Sequence, residues 1–363
     1  MKTIHLANTD FEFELAGVNS NLALELSWQR HPLCLQLQFL PLLYASADEA
    51  VAVTHLPDHQ FLEALGHLAW RQQESLPILL PLSASTIPYE QCLSWGASKK
   101  IEQWAQSKKI HYLIPPWEIV KEINSKAFSF TLSPPLQHSA LISNSRELED
   151  WLKDGKIEQR VLKTCFGLSG RGHTFINADT PLETIYRICE KEWSRSLPLI
   201  GEPWLDRFLD FSTQWHIGEE IQFIGSTLFE ADTRGVYKST WAGPESILFA
   251  SYLSHLERHK EIAFSILQKI KQNGFFGYLG IDAFLYRTPQ KEIQLRPLVE
   301  INGRQTMSLV ALQMQKRWFP QNTLHLSFIK QKDCPIALLP TSLHINQQKQ
   351  IDFHHQLHLS VIN

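Results

Sequence analysis

Asp282, Glu300 and Asn302, two carboxylates and a carboxamide, lie in one short stretch, 280–304 (GIDAFLYRTPQKEIQLRPLVEINGR). Hard oxygen donors of this kind suit magnesium held together with phosphate oxygens better than zinc or copper, which favour nitrogen and sulfur. The runs 279–286 and 294–301 are apolar and β-prone, and Thr288, Pro289 and Gln290 lie between them, so the pattern predicts an antiparallel hairpin with a longer loop. Along a strand the side chains alternate, which puts Glu300 and Asn302 on one face and Val299 and Ile301 on the other, with Asp282 on the partner strand pointing into the same space. That is the outline of a nucleoside-triphosphate site. The ordinary alternative is an exposed hairpin with polar residues on its wet face.

A second group lies at 161–173 (VLKTCFGLSGRGH). Gly167, Gly170 and Gly172 let the backbone turn tightly and bring N–H groups against phosphate oxygens. Their G-x-x-G-x-G spacing fits neither the dinucleotide fingerprint nor the phosphate loop, because His173 stands where the latter has lysine. The lysine comes earlier instead. Lys163, at the end of a buried-looking strand, is placed to hold α and β phosphates while a glycine lid closes over the rest. Glycine-rich hairpins also occur in proteins that bind nothing.

Taken in order, a strand lysine, a glycine lid, a hinge and an Asp...Glu-x-Asn hairpin resemble the ATP-grasp superfamily over roughly residues 115–320. The resemblance implies an α/β (α+β) chain, with an ATP-grasp fold of two α+β subdomains preceded by a small α/β domain. It implies ATP and Mg2+ as cofactors. Lys163 matches the strand lysine, and Lys126 (in VKEINSK) matches a second nucleotide-contacting lysine. Gly167, Ser169, Gly170, Arg171 and Gly172 form the lid. Glu202 matches the hinge acid, with the backbone of Trp204 and Leu205 meeting the adenine edge. Asp210 matches the ribose partner, Asp206 being its rival. Asp282, Glu300 and Asn302 match the magnesium ligands, and Arg304 a basic residue just beyond them. One departure is Thr164, where proline commonly follows the strand lysine.

The activity implied is ligation: a carboxylate is activated by the γ-phosphoryl group and passed to an amine or similar nucleophile. A small-molecule or peptide carboxylate then needs an anion holder, for which Arg304, Arg234 and Lys238 are candidates, because a planar guanidinium meets carboxylate oxygens in pairs. Arg234 reads equally as a solvated charge in a turn, and Lys238 reads more readily as one. The rivals are a small-molecule kinase of the same fold and a nucleotide-binding scaffold without turnover. A homodimer is the assembly suggested by analogy.

The 363 residues are 44% hydrophobic and 20% charged, enough for two or three domains and a substantial core. A formal charge of −3 gives no electrostatic case for nucleic acid. The amino-terminal segment MKTIHLANTDFEFELAG carries acids where a secretory signal needs an apolar core, and no run reaches the roughly 20 apolar residues of a membrane span. A cytoplasmic protein is expected. Five scattered cysteines without a C-x-x-C pair suggest reduced thiols, and Cys165 beside the lid has no evident base to make it a nucleophile.

The elements that must position these groups divide the chain into 1–120, a mixed α/β domain; 121–197, carrying the lid; 198–335, carrying the magnesium hairpin; and 336–363, a tail ending as a hairpin or edge strand. In the first part, strand 50–54, helix 57–73, the apolar run 77–82, helix 98–109 and strand 111–114 predict a small open sheet flanked by helices. Next come strand 140–143, helix 146–151, strands 161–165 and 174–176, and helix 181–193. Strands across 213–238 and a long helix 252–272 precede the hairpin.

Overall fold

The run AVAV at Ala50–Val53 is buried on every residue, as an interior strand of a parallel sheet covered on both faces must be. It belongs to an all-parallel sheet of β1 (Thr3–Leu6), β2 (Ala50–Val53), β3 (Ile78–Pro81) and β4 (Gln91–Ser94), in the order β3-β2-β1-β4. This is a computed structural model, and it describes every residue except 19–22, 72–73, 134–135, 155–158, 168–171, 234 and 363.

A second sheet, antiparallel and in the order β5-β8-β6-β7, comprises β5 (Ala140–Ile142), β6 (Arg160–Thr164), β7 (His173–Ile176) and β8 (Leu199–Pro203). The helices Ser145–Lys153 and Leu182–Trp193 cover it, and Leu148, Trp151, Ile185 and Cys189 join Leu162 and Leu199 in a core separate from the rest of the molecule.

The largest sheet is antiparallel and seven-stranded. Its strands are β9 (Asp206–Ile217), β10 (Ile221–Ala231), β11 (Tyr237–Ala242), β12 (Gly277–Arg287), β13 (Ile293–Asn302) and β14 (Thr323–Lys330), followed, after a two-stranded hairpin of β15 (Ser342–Asn346) and β16 (Lys349–Asp352), by β17 (His355–Ile362). Their order is β13-β12-β9-β10-β11-β14-β17. The tail thus supplies both a hairpin and an edge strand. The helices Leu253–Gln272 and Met307–Trp318 pack on this sheet, and one hydrophobic cluster runs from Ile4 and Val51 through Trp215 and Val310 to Leu357. The amino-terminal sheet and the large sheet therefore share a core. Polar ties reinforce it: Trp318 Nε1 donates to the Leu43 carbonyl at 2.9 Å and Gln36 Nε2 to that of His355 at 2.8 Å. Among the described residues no helix is long and apolar enough to cross a membrane.

Two expectations fail locally. The helix expected over 57–73 stops at Gly66, and Ala69–Arg71 form a separate 3-10 turn. There the Arg71 side chain is fully buried against Trp318 and donates to the Leu42 carbonyl at 2.9 Å, so tertiary contacts override the helical pattern. The strand expected at 111–114 reduces to a single bridge between Gln91 and His111, because Pro115 and Pro116 have no N–H with which to extend a ladder.

Candidate active site

The hairpin forms as the pattern predicts, with β12 and β13 antiparallel and Asp282 directly opposite Glu300. Register then shifts before Phe284 pairs with Arg296, so β13 carries a bulge. Pro297 lies in it, where a residue without an N–H is tolerated. Its carbonyl accepts a 2.9 Å hydrogen bond from His259 Nδ1, and His259 Nε2 accepts from Thr213 at 2.8 Å. Burial pushes this imidazole down to about 4, so it is a neutral brace for the hairpin at physiological pH. The bulge also breaks strict alternation: Val299, expected to face away, lines the same cleft as Glu300.

Around the hairpin the charges are closely matched. Asn302 Nδ2 donates to Asp282 at 2.9 Å, and Lys126 Nζ meets Glu300 Oε1 at 2.6 Å. Lys126 is the first residue of the helix Lys126–Leu132, capped by Ser125, and its side chain is 10% exposed. Gly303 N donates to Asn124 Oδ1 at 2.8 Å, and a Cβ at Gly303 would lie 2.6 Å from Ile123, so only glycine lets the hairpin end approach this helix pair.

The same logic governs the lid sheet. Lys163 on β6 and Glu202 on β8 project to one side, and their charged groups are 2.5 Å apart. Arg296 of β13 reaches Glu202 at 3.4 Å, tying the lid sheet to the large one. Gly172, at φ +105°, would place a Cβ 2.5 Å from the Thr164 hydroxyl, so Thr164 is where the returning chain closes on β6. Ser169, Gly170 and Arg171, expected in the lid, and Arg234, expected as an anion holder, lie outside the described residues.

A cleft of about 210 Å3 collects Asp282, Glu300, Asn302 and Arg304 from the hairpin, Gly167 and His173 from the ends of the lid, and Asp210 from β9. Trp204 and Leu205 border an adjoining hollow with Asp206 and Asp210. Of the rival acids, Asp210 faces both spaces and is paired with Arg207 at 3.3 Å, whereas Asp206 is exposed. Lys238 is exposed too and stands outside the cleft. Arg304 lines the cleft but is already engaged: it donates to Asn302 Oδ1 at 3.0 Å and pairs with Glu12 of the amino-terminal domain. Neither Glu12 nor Arg296 carried a signal in the sequence, since each is distant in the chain from its partner. Cys165 is buried, its Sγ donates to the Pro198 carbonyl, and burial pushes its thiol up; it is no nucleophile.

The titration behaviour tests the fit to a cation. Burial and the facing Glu300 push Asp282 up to about 6. Burial works against the Glu300 charge as well, but Lys126 and Arg304 outweigh it and hold that carboxyl below its ordinary range. Glu202 behaves alike, Lys163 and Arg296 outweighing its burial. Of the two facing carboxylates, Asp282 is therefore the one short of positive charge. Among the described residues no group of three or more His, Cys, Asp or Glu is placed to hold a metal ion; the hairpin brings together two carboxylates and one amide.

A pH dependence follows. Asp282 binds its proton more tightly folded than unfolded, so its contribution to stability falls as pH rises from about 4 to about 6 and stays low above. In EDTA, Asp282→Asn removes this loss: its melting temperature should exceed wild type by a few degrees at pH 7.5 and converge with it below pH 4. Thermal melts across pH check this, and identical profiles would mean that Asp282 is not charge-stressed.

No protein-family model matches the sequence, and no curated protein matches it. Solved structures do. A biotin carboxylase–beta-gamma-ATP complex from Campylobacter jejuni superposes with TM-score 0.52 at 11% identity, covering 99% of this chain and 87% of that one. An N5-carboxyaminoimidazole synthetase from Staphylococcus aureus complexed with ADP gives 0.51 at 12% identity, covering 99% and 94%. The ADP complex of an N5-carboxyaminoimidazole ribonucleotide synthetase gives 0.50 at 10%, covering 100% and 92%. At such identities the likeness is one of fold, and it extends over the whole chain: this protein has the ATP-grasp fold.

Proposed function

We propose that this chain is a magnesium- and ATP-dependent ligase that activates a carboxylate as an acyl phosphate and joins it to an amine. The observation that carries the reading is Asp282 facing Glu300 across the hairpin, in one cleft with the lid ends Gly167 and His173 and with Asp210. The similar synthetases were solved with ADP and the similar carboxylase with a beta-gamma-ATP, which supports a nucleotide here. We divide the chain functionally at about 120, 197 and 335, as the sequence suggested.

In the reaction a carboxylate oxygen attacks the γ-phosphorus, the bond to the β–γ bridging oxygen breaks, and ADP leaves with that electron pair. The amine nitrogen then attacks the acyl carbon, the carbon–oxygen bond to phosphate breaks, inorganic phosphate leaves, and the nitrogen gives its proton to solvent. Asp282, Glu300 and Asn302 would hold Mg2+, which supplies charge neutralisation at the phosphates. Lys126 and Lys163 exchange their carboxylate partners for phosphate oxygens. The Trp204–Leu205 backbone takes the adenine edge and Asp210 the ribose. Arg304 holds the substrate carboxylate, oriented by Glu12 and Asn302. The partners are a small-molecule or peptide carboxylate and an amine-type acceptor; free thiols at all five cysteines suit a cytoplasmic setting, and a homodimer is the assembly we expect.

Hydroxylamine tests this, because it captures acyl phosphates as hydroxamates whatever the natural amine. Incubation with Mg-ATP, hydroxylamine and a carboxylate mixture should yield ADP, phosphate and hydroxamate in equal amounts. A phosphorylated product without free phosphate would instead establish a kinase, and no ADP at all a scaffold.

A further inference from the structure

The far wall of the cleft belongs to the amino-terminal sheet. In the order β3-β2-β1-β4 the chain reverses direction of travel between β1 and β4, the switch point at whose strand carboxyl ends open α/β sheets bind ligands. The loops leaving those two strands are sealed to each other by Asn8, whose Nδ2 donates to the Gly96 carbonyl and whose Oδ1 accepts from Gly96 N, each at 3.0 Å. They present Thr9 and Trp95 to the cleft. Beside them the helix Pro32–Leu37 sets Leu33 and Leu37, one turn apart, against the same space. Leu33 is 37% exposed, a large apolar side chain facing the interior of a cleft.

Among the described residues this wall offers no cation to a phosphate. The segment 7–10 has no glycine, the helix after it is only Phe11–Leu15, and the acids there are committed: Asp10 accepts from Ser27 Oγ and Trp28 Nε1 at 2.7 Å each, and Glu12 pairs with Arg304. No lysine or arginine of the amino-terminal domain lines the cleft among the described residues.

Resting on the ligase reading, we infer that the activated carboxylate belongs to a small unphosphorylated acid with an apolar body, the carboxylate turned to Arg304 and the body lying on Leu33, Leu37 and Trp95. Specificity for chain length then comes from the amino-terminal domain, at about fourfold in kcat/KM per methylene, the worth of one buried CH2.

The full chain is assayed with Mg-ATP and hydroxylamine on single acids: acetate, butyrate, hexanoate and hydrocinnamate against malonate, phosphoglycolate and phosphoserine. Leu33→Asp and Leu33→Met are run in parallel, with Mg-ATP binding by calorimetry as the control for fold. Hydroxamate formation should rise along the aliphatic series, fall about tenfold for hexanoate in Leu33→Asp, and persist in Leu33→Met. A preference for the phosphorylated or dicarboxylic acids, or a chain-length series unchanged in Leu33→Asp, overturns the inference and leaves the ligase reading standing. No hydroxamate from any acid, with Mg-ATP still bound, overturns both.

Discussion

Glu300→Gln should release ADP about 10²–10³-fold more slowly than wild type while melting within a degree or two of it. The substitution keeps shape and removes charge. Lys126 loses an ionised partner 2.6 Å away, which costs stability, but the negative charge that presses on Asp282 goes too, which restores some. Those effects oppose each other in the fold and add in the reaction, where one of two anionic ligands facing each other across β12 and β13 is gone. Steady-state ADP release with thermal melts separates them. Full turnover in a folded Glu300→Gln protein would remove the magnesium assignment.

Lys163→Met should fail differently, in fold and in nucleotide binding together. Lys163 and Glu202 are 11% and 10% exposed, and removing one partner of such a pair strands the other; the cost is about 3 kcal/mol, softened by Arg296 at 3.4 Å. Adding Glu202→Gln removes the stranded charge. The double variant should recover most of the melting temperature yet bind ATP at least about tenfold more weakly than wild type, because the lysine that meets phosphate is still missing. Recovery of both would make the pair purely structural.

The chemistry-bearing hairpin was legible because its information is local: two β-prone runs, a turn between them, and Glu300 and Asn302 at alternating positions. β6 and β7 were legible for the same reason. What escaped was set by contacts distant in sequence. β1 and β4, which flank the switch point, are four residues each and carry polar Thr3, His5, Gln91 and Ser94, so neither shows the apolar run that reveals AVAV in β2. Glu12 and Arg296 look like ordinary surface charges until folding brings them to Arg304 and Glu202. Pro297 was visible, but the bulge it lies in, and the place of Val299 in the cleft lining, depend on the register of the finished ladder.

The most direct measurement is calorimetric titration of the full chain with ATP, with and without magnesium, alongside folded Glu300→Gln and Lys163→Met/Glu202→Gln. Binding that requires magnesium in wild type and is weakened in both variants is the predicted result. Absence of binding in wild type, or binding indifferent to magnesium and to both variants, would contradict a nucleotide site at this hairpin.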